Sequence, residues 1–361
     1  MQLTQETVDI YKERAPELLD AVTSGEAEHI MKRDSETDYC VKFDAGWCGI
    51  HKAYGTEFLG DACHFFPRST RALGEQPIMT ASLSCPEVAR LALLADGGFD
   101  WQEEPPQRLP FSLKDYCPEG LEPEKAMQVH QACLQAVDDA PTAERALARL
   151  RSAAASMEMV GVDSWAMAAP FYLSHADGRL PVAEGELADA FNLLHALSGL
   201  VAASAKTNRP RLEQTLAEME AALAVTLHRD TVQMETSNAS AQAWQGMEIR
   251  WVKEWSMLYQ PLLKRWLQAQ LAVALFPFGG FGQSLSERMT IIGVRFATLK
   301  LALMSGCQQH GGVLSEDEVI RVVQSLARFM DHLADPALSM QIYTETGWTR
   351  ESRLRALVGD Y

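Results

Sequence analysis

The sequence predicts an all-α protein interrupted near its amino terminus by an irregular, cysteine-rich segment. Apolar residues recur at helical spacing through most of the chain, the signature of helices that bury one face. No stretch alternates strand and helix units, so a doubly wound sheet of the Rossmann type is disfavoured. Between Cys40 and Cys85 the helical pattern fails, and four of the seven cysteines fall there.

Taken in order, residues 4–24 carry apolar side chains at Val8, Tyr11, Leu18, Leu19 and Val22, a one-faced helix with a break or new start at Pro16. Residues 49–59 read as a short helix. Cys48 opens it after a turn at Asp44, Ala45 and Gly46, Cys63 lies just past its end, and Pro67 stops the chain. Cys85 opens the next helix, with Ser84 and Glu87 as a capping box and Pro86 in the first turn. The predicted organisation is an amino-terminal helix and four-cysteine segment over 1–104, a proline-rich linker over 105–123, and a helical domain over 124–361.

Within that last part, residues 124–137, 142–157, 182–205 and 212–226 read as helices and 161–180 as irregular. Residues 241–275 hold Trp244, Trp251, Trp255, Tyr259 and Trp266, an aromatic stripe that reads as core, with a kink expected at Pro261. The following FPFGGFG stretch lacks G-x-G-x-x-G and follows a helix, so it reads as a tight connection and not as a dinucleotide site. Ser284 with Glu287, and Ser315 with Glu318, are capping boxes that start two long helices.

Charge narrows the partners. With 48 acidic against 32 basic residues the net charge is −16, which argues against nucleic acid, whose phosphates need a basic face. It suits a cationic partner, although acidity for solubility is the plainer explanation. No apolar run reaches membrane-span length and the first residues lack a signal-peptide pattern, so no membrane is expected. An odd number of cysteines fits a reducing, cytoplasmic setting.

Four thiols converging from one segment suit a soft metal, zinc or an iron-sulfur cluster. No Cys-x-x-Cys knuckle is present, so zinc-ribbon and ferredoxin spacings fit poorly, and ordinary burial of cysteine remains the alternative. Cys85 at a positive helix end is placed to favour a thiolate.

Specific motifs go further: Cys40-Val-Lys-Phe-Asp44, Cys48-Gly-Ile-His-Lys-Ala-Tyr-Gly55, Cys63-His-Phe-Phe-Pro-Arg68 and Leu83-Ser-Cys-Pro-Glu-Val-Ala-Arg90, then Leu275-Phe-Pro-Phe-Gly279, Val294-Arg-Phe-Ala297 and Val322-Val-Gln-Ser-Leu-Ala-Arg328. Together these resemble the flagellin lysine-N-methylases over most of the chain, least between about residues 105 and 250. Typical members carry a further amino-terminal cysteine group, whereas residues 1–32 here contain no cysteine.

The resemblance implies a 4Fe-4S cluster on Cys40, Cys48, Cys63 and Cys85, S-adenosylmethionine as methyl donor, and methyl transfer to a flagellin-like protein lysine or a small amine. The Cys-x-x-x-Cys-x-x-Cys signature of radical enzymes is absent, and a cluster with four thiolates is closed, which suits a structural or electron-transfer role. The missing cysteine group keeps a second class open, a helical iron-sulfur protein with a redox or tailoring role on a small molecule or peptide. Arg68, Glu87 and Arg90 flank the cysteines and could balance a cluster or hold a cofactor carboxylate, with surface ion pairs as the plain alternative. Arg295, on a largely apolar helix, could anchor a buried anion. His332 stands after Asp331 where the family tends to show Glu-His and is the candidate general base, a helix-end cap being the alternative. His51 and His64 could substitute as metal ligands.

Overall fold

The computed structural model describes residues 2–24, 29–35, 39–45, 47–95, 101–103, 109, 113–175, 187–203, 209–228, 233–280, 282–331 and 336–349. The chain forms two compact units, Met1–Arg71 with Glu103–Lys114, and Ala72–Gln102 with Asp115–Tyr361.

In the first unit, β1 (Gln2–Leu3) leads into α1 (Gln5–Arg14), whose amino end is capped by the Thr4 hydroxyl accepting from the Thr7 N–H. The break expected near Pro16 is present: α1 stops, and a 3-10 segment, Pro16–Ala21, turns the chain into β2 (Val22–Ser24). β3 (His29–Met31) pairs antiparallel with both β1 and β2. β4 (Phe43–Asp44) and β5 (Trp47–Cys48) form a small hairpin, with Ala45 in the left-handed region at its turn. The helix expected over 49–59 is shorter. α2 (Gly49–Tyr54) ends at Gly55, whose φ of 92° only glycine adopts without strain, and a 3-10 turn, Thr56–Phe58, follows. Cys63 is therefore inside a separate helix, α3 (Asp61–Phe65). Tyr11, Leu18, Met31, Ile50 and Phe58 centre a small apolar core, and Cys40, Cys48 and Cys63 pack against it.

The second unit is helical. β6 (Arg68–Leu73), along which the chain passes between units, pairs with β7 (Gln76–Ala81). Then come α4 (Pro86–Leu94), α5 (Pro123–Asp138), α6 (Ala143–Glu158), α7 (Trp165–His175), α8 (Leu187–Ala203) and α9 (Pro210–Leu223). A hairpin of β8 (Thr226–His228) and β9 (Gln233–Glu235) precedes α10 (Asn238–Arg250), α11 (Ser256–Ala274), α12 (Leu285–His310), α13 (Glu316–Met330) and α14 (Pro336–Glu345). Among the described residues every sheet has two or three strands, as a helical protein requires.

α12 is the axis of this unit, packed by α6, α8, α9, α10, α11, α13 and α14. Burial on all sides gives it a mean hydropathy of 1.3 over an 18-residue window, all of it inside the protein. By length and composition it could cross a bilayer, which corrects the expectation that no stretch reaches that length; the same composition is what an encircled core helix needs.

Three local expectations change. Residues 165–175 form a helix, α7, although Pro170 lies inside it, and its inward face is Trp165, Ala169 and Leu173. The irregularity between α10 and α11 falls at Trp251–Trp255, a π-helical turn ahead of Pro261, which is accommodated within α11. Cys85 itself is the N-cap of α4 and no side chain caps it, so the Ser84–Glu87 capping box does not form. Ser84 instead bonds Ser82, with hydroxyls 2.8 Å apart.

Candidate active site

The first unit gathers three thiols. Cys48 ends β5 and is the N-cap of α2, Cys63 stands in α3, and Cys40 is tied into the same layer by its bridge to Arg33 and by the Phe43 N–H donating to its carbonyl at 2.8 Å. All three are half-buried and free of disulfides. They stand close enough that Cys48 and Cys40, after burial, raise the Cys63 thiol pKa. Above them is Tyr11 of α1, fully buried, its hydroxyl donating to the Phe58 carbonyl at 2.8 Å. Burial, then the three thiols, push its phenol up to about 12.

Among the described residues no three His, Cys, Asp or Glu side chains reach the mutual spacing of a metal site. The donor chemistry nonetheless fits a thiophilic metal, because the three groups that converge are all sulfur and half sheltered from water. His64 is turned away, its Nδ1 3.3 Å from the Thr56 carbonyl. Arg68 is exposed, donates to the His64 carbonyl at 2.8 Å and lies 5.9 Å from the Phe65 ring centre.

In the second unit Cys85 is half-buried at the head of α4. The turn before it is tied to α13: Gln324 Nε2 donates to the Ser84 carbonyl at 3.1 Å, and the Ser82 hydroxyl lies 3.1 Å from Asp331 Oδ2. Asp331 is the C-cap of α13 and the partner of Arg295 on α12, with 3.1 Å between Nη1 and Oδ1. Arg295 Nη2 also donates to the Met330 carbonyl at 2.8 Å. Arg295 is 8% exposed, and the carboxylate it meets is that of half-buried Asp331, supplied by the chain itself. Trp266, Gln270, Leu299 and Leu326 enclose the pair with a cavity of about 10 Å³, room for about one water molecule.

Glu87 and Arg90 are a 3.7 Å pair on α4, and Arg90 reaches Glu316 and Asp317 at 3.6 and 2.9 Å, fastening α4 to the start of α13. His332 lies outside the described residues; Asp331 immediately before it is fixed by Arg295 and Ser82. Sequence reasoning assigned no role to Ser82, Gln270, Gln324 or Tyr11. Nothing local marks the first three, but Tyr11 was visible as an apolar-face residue of α1.

Residues 179–349 match the model of the FliB lysine N-methylase C-terminal domain. Over that span the chain is similar to the flagellin lysine N-methylases. No curated protein and no solved structure matches it. The match to a lysine N-methylase domain supports a methyltransferase acting on lysine. The matched FliB span takes in most of the second unit's core, from α8 to α14, and with it Arg295, Asp331 and the cavity they help to line. The cysteine segment precedes that span.

Proposed function

We propose that this chain transfers a methyl group from S-adenosylmethionine to the side-chain amine of a lysine on a flagellin-like protein in the cytoplasm, and that its cysteine segment holds a 4Fe-4S cluster. The observation that carries the methylase reading is the FliB family match over residues 179–349. Support for the cluster is the convergence of Cys40, Cys48 and Cys63 on one small core. Cys85 stands in the second unit, and its place in the ligand set rests on the sequence pattern alone. A cluster bound there supplies structural cohesion or electron transfer.

S-adenosylmethionine supplies an electrophilic sulfonium methyl. The chain's task is to present a neutral amine in line with it, against a lysine pKa of about 10.4 in water. His332 is the proposed proton acceptor. Asp331, the residue before it in the sequence, is held by Arg295 and Ser82.

Protein purified without oxygen is expected to be brown and to contain iron and sulfide in equal amounts. Colourless protein with stoichiometric zinc would refute the cluster. Cys40→Ala, Cys48→Ala and Cys63→Ala should each lower metal content, whereas Cys133→Ala and Cys307→Ala, buried in the second unit's core, should retain it. His332→Ala should lower turnover at unchanged metal content.

A further inference from the structure

α1 and the 3-10 segment after it are fastened to the segment between Cys48 and Cys63 by four separate contacts, three of them from α1. Tyr11 donates to the Phe58 carbonyl at 2.8 Å. The Arg14 guanidinium lies 4.8 Å from the Phe58 ring centre and pairs with Glu57 at 3.1 Å. Glu17, in the 3-10 segment after α1, accepts a hydrogen bond from the Tyr54 hydroxyl. Tyr11 itself is fully buried, in the core on which all three thiols pack. A phenol whose proton is committed to a backbone carbonyl has no donor left for its neighbours, and most of the surface it gives them is its ring.

From this arrangement we infer that Tyr11 is a positioning and shielding residue for the thiol site, α1 acting as a clamp that holds Cys48 and Cys63 in register and closes them from water. The inference deepens the proposed cluster and rests on that reading for its metal, but not for its geometry. A hydrophobic cover over thiol ligands controls solvent access, and with it metal retention and reduction potential.

The test compares three variants of the full chain. Tyr11→Ala removes the ring, Tyr11→Phe keeps the ring and loses the hydroxyl, and Leu18→Ala opens a hole in the same core on the far side of the Pro16 break. Two readouts are taken: loss of iron to a chelator in metal-loaded protein, and iodoacetamide labelling of Cys40, Cys48 and Cys63, followed peptide by peptide in metal-free protein. In Tyr11→Ala both rates are expected to rise by about tenfold or more, as for a site opened to solvent. Tyr11→Phe should restore most of the protection, and Leu18→Ala should leave both rates near those of the unaltered chain. Protection unchanged in Tyr11→Ala, or lost equally in Leu18→Ala, would overturn the inference. Absence of iron in the unaltered protein would overturn the cluster reading alone, since the labelling arm reports on the cover without metal.

Discussion

At the scale of single residues, the buried polar groups of the helical unit decide how it responds to pH and to substitution. His130 on α5 is fully buried and its Nδ1–H donates to the Phe276 carbonyl at 2.7 Å. Burial lowers its pKa, the hydrogen bond opposing only in part. The unfolded chain therefore binds this proton more readily than the folded one. The stability at stake is fully present above the unfolded histidine value of about 6.5 and is lost as pH falls below it. His130→Asn keeps a donor for the Phe276 carbonyl and removes the titration. Between pH 7 and 5 the urea midpoint of the unaltered protein should therefore drop by more than that of the variant. A second residue pair is Glu144 on α6 with Lys300 on α12, 3.3 Å apart and almost wholly buried, with Gln260 Nε2 donating to the carboxylate at 2.9 Å. Lys300→Met strands a buried carboxylate and should cost about 3–5 kcal/mol, whereas Glu144→Leu with Lys300→Met should recover much of that loss. Strict additivity in urea melts would contradict this account.

At the scale of elements, capping and periodicity were readable where they act within a few residues. The Ser315–Glu318 capping box forms in full: Ser315 accepts from the Glu318 N–H, and Glu318 Oε2 accepts from the Ser315 N–H at 2.7 Å. Ser315→Ala should destabilise by about 1 kcal/mol, measured as a lowered urea midpoint. At Ser284 the first half of the motif forms, but Glu287 accepts from the Gln283 N–H in place of the N-cap. The Ser84–Glu87 motif fails altogether because the N-cap is Cys85, one residue on, which leaves the serine bonded to Ser82 and the glutamate paired with Arg90 one turn along α4. α7 was hidden for a related reason. Proline inside a helix reads as a stop, yet packing against α5 and α6 outweighs one missing backbone bond. The break at Pro16 and the one-faced pattern of α13 needed no such context and were legible directly.

At the scale of the molecule, the all-helical class followed from periodicity, since a unit built round an encircled helix such as α12 needs amphipathic helices on every side. The short sheets were not legible, being pairs of two or three residues set by turn geometry. Of the candidate site, the cysteine segment stood out by composition, and Cys40, Cys48 and Cys63 do come together. That Arg295 finds its anion in Asp331 could not be read, because the partners lie on different helices and meet only through the packing of α12 on α13. Arg295→Met would leave Asp331 half-sheltered without its cation and should loosen the start of the segment holding His332, so turnover should fall more than stability.

The central claim is methyl transfer to a lysine, and the direct measurement is mass spectrometry of a flagellin-like protein after incubation with this chain and methyl-labelled S-adenosylmethionine. The account predicts label on lysine side-chain nitrogen, formed without added reductant and faster as pH rises toward the amine pKa of about 10.4. No label from folded, metal-loaded protein, or transfer that depends strictly on a strong reductant, would contradict it.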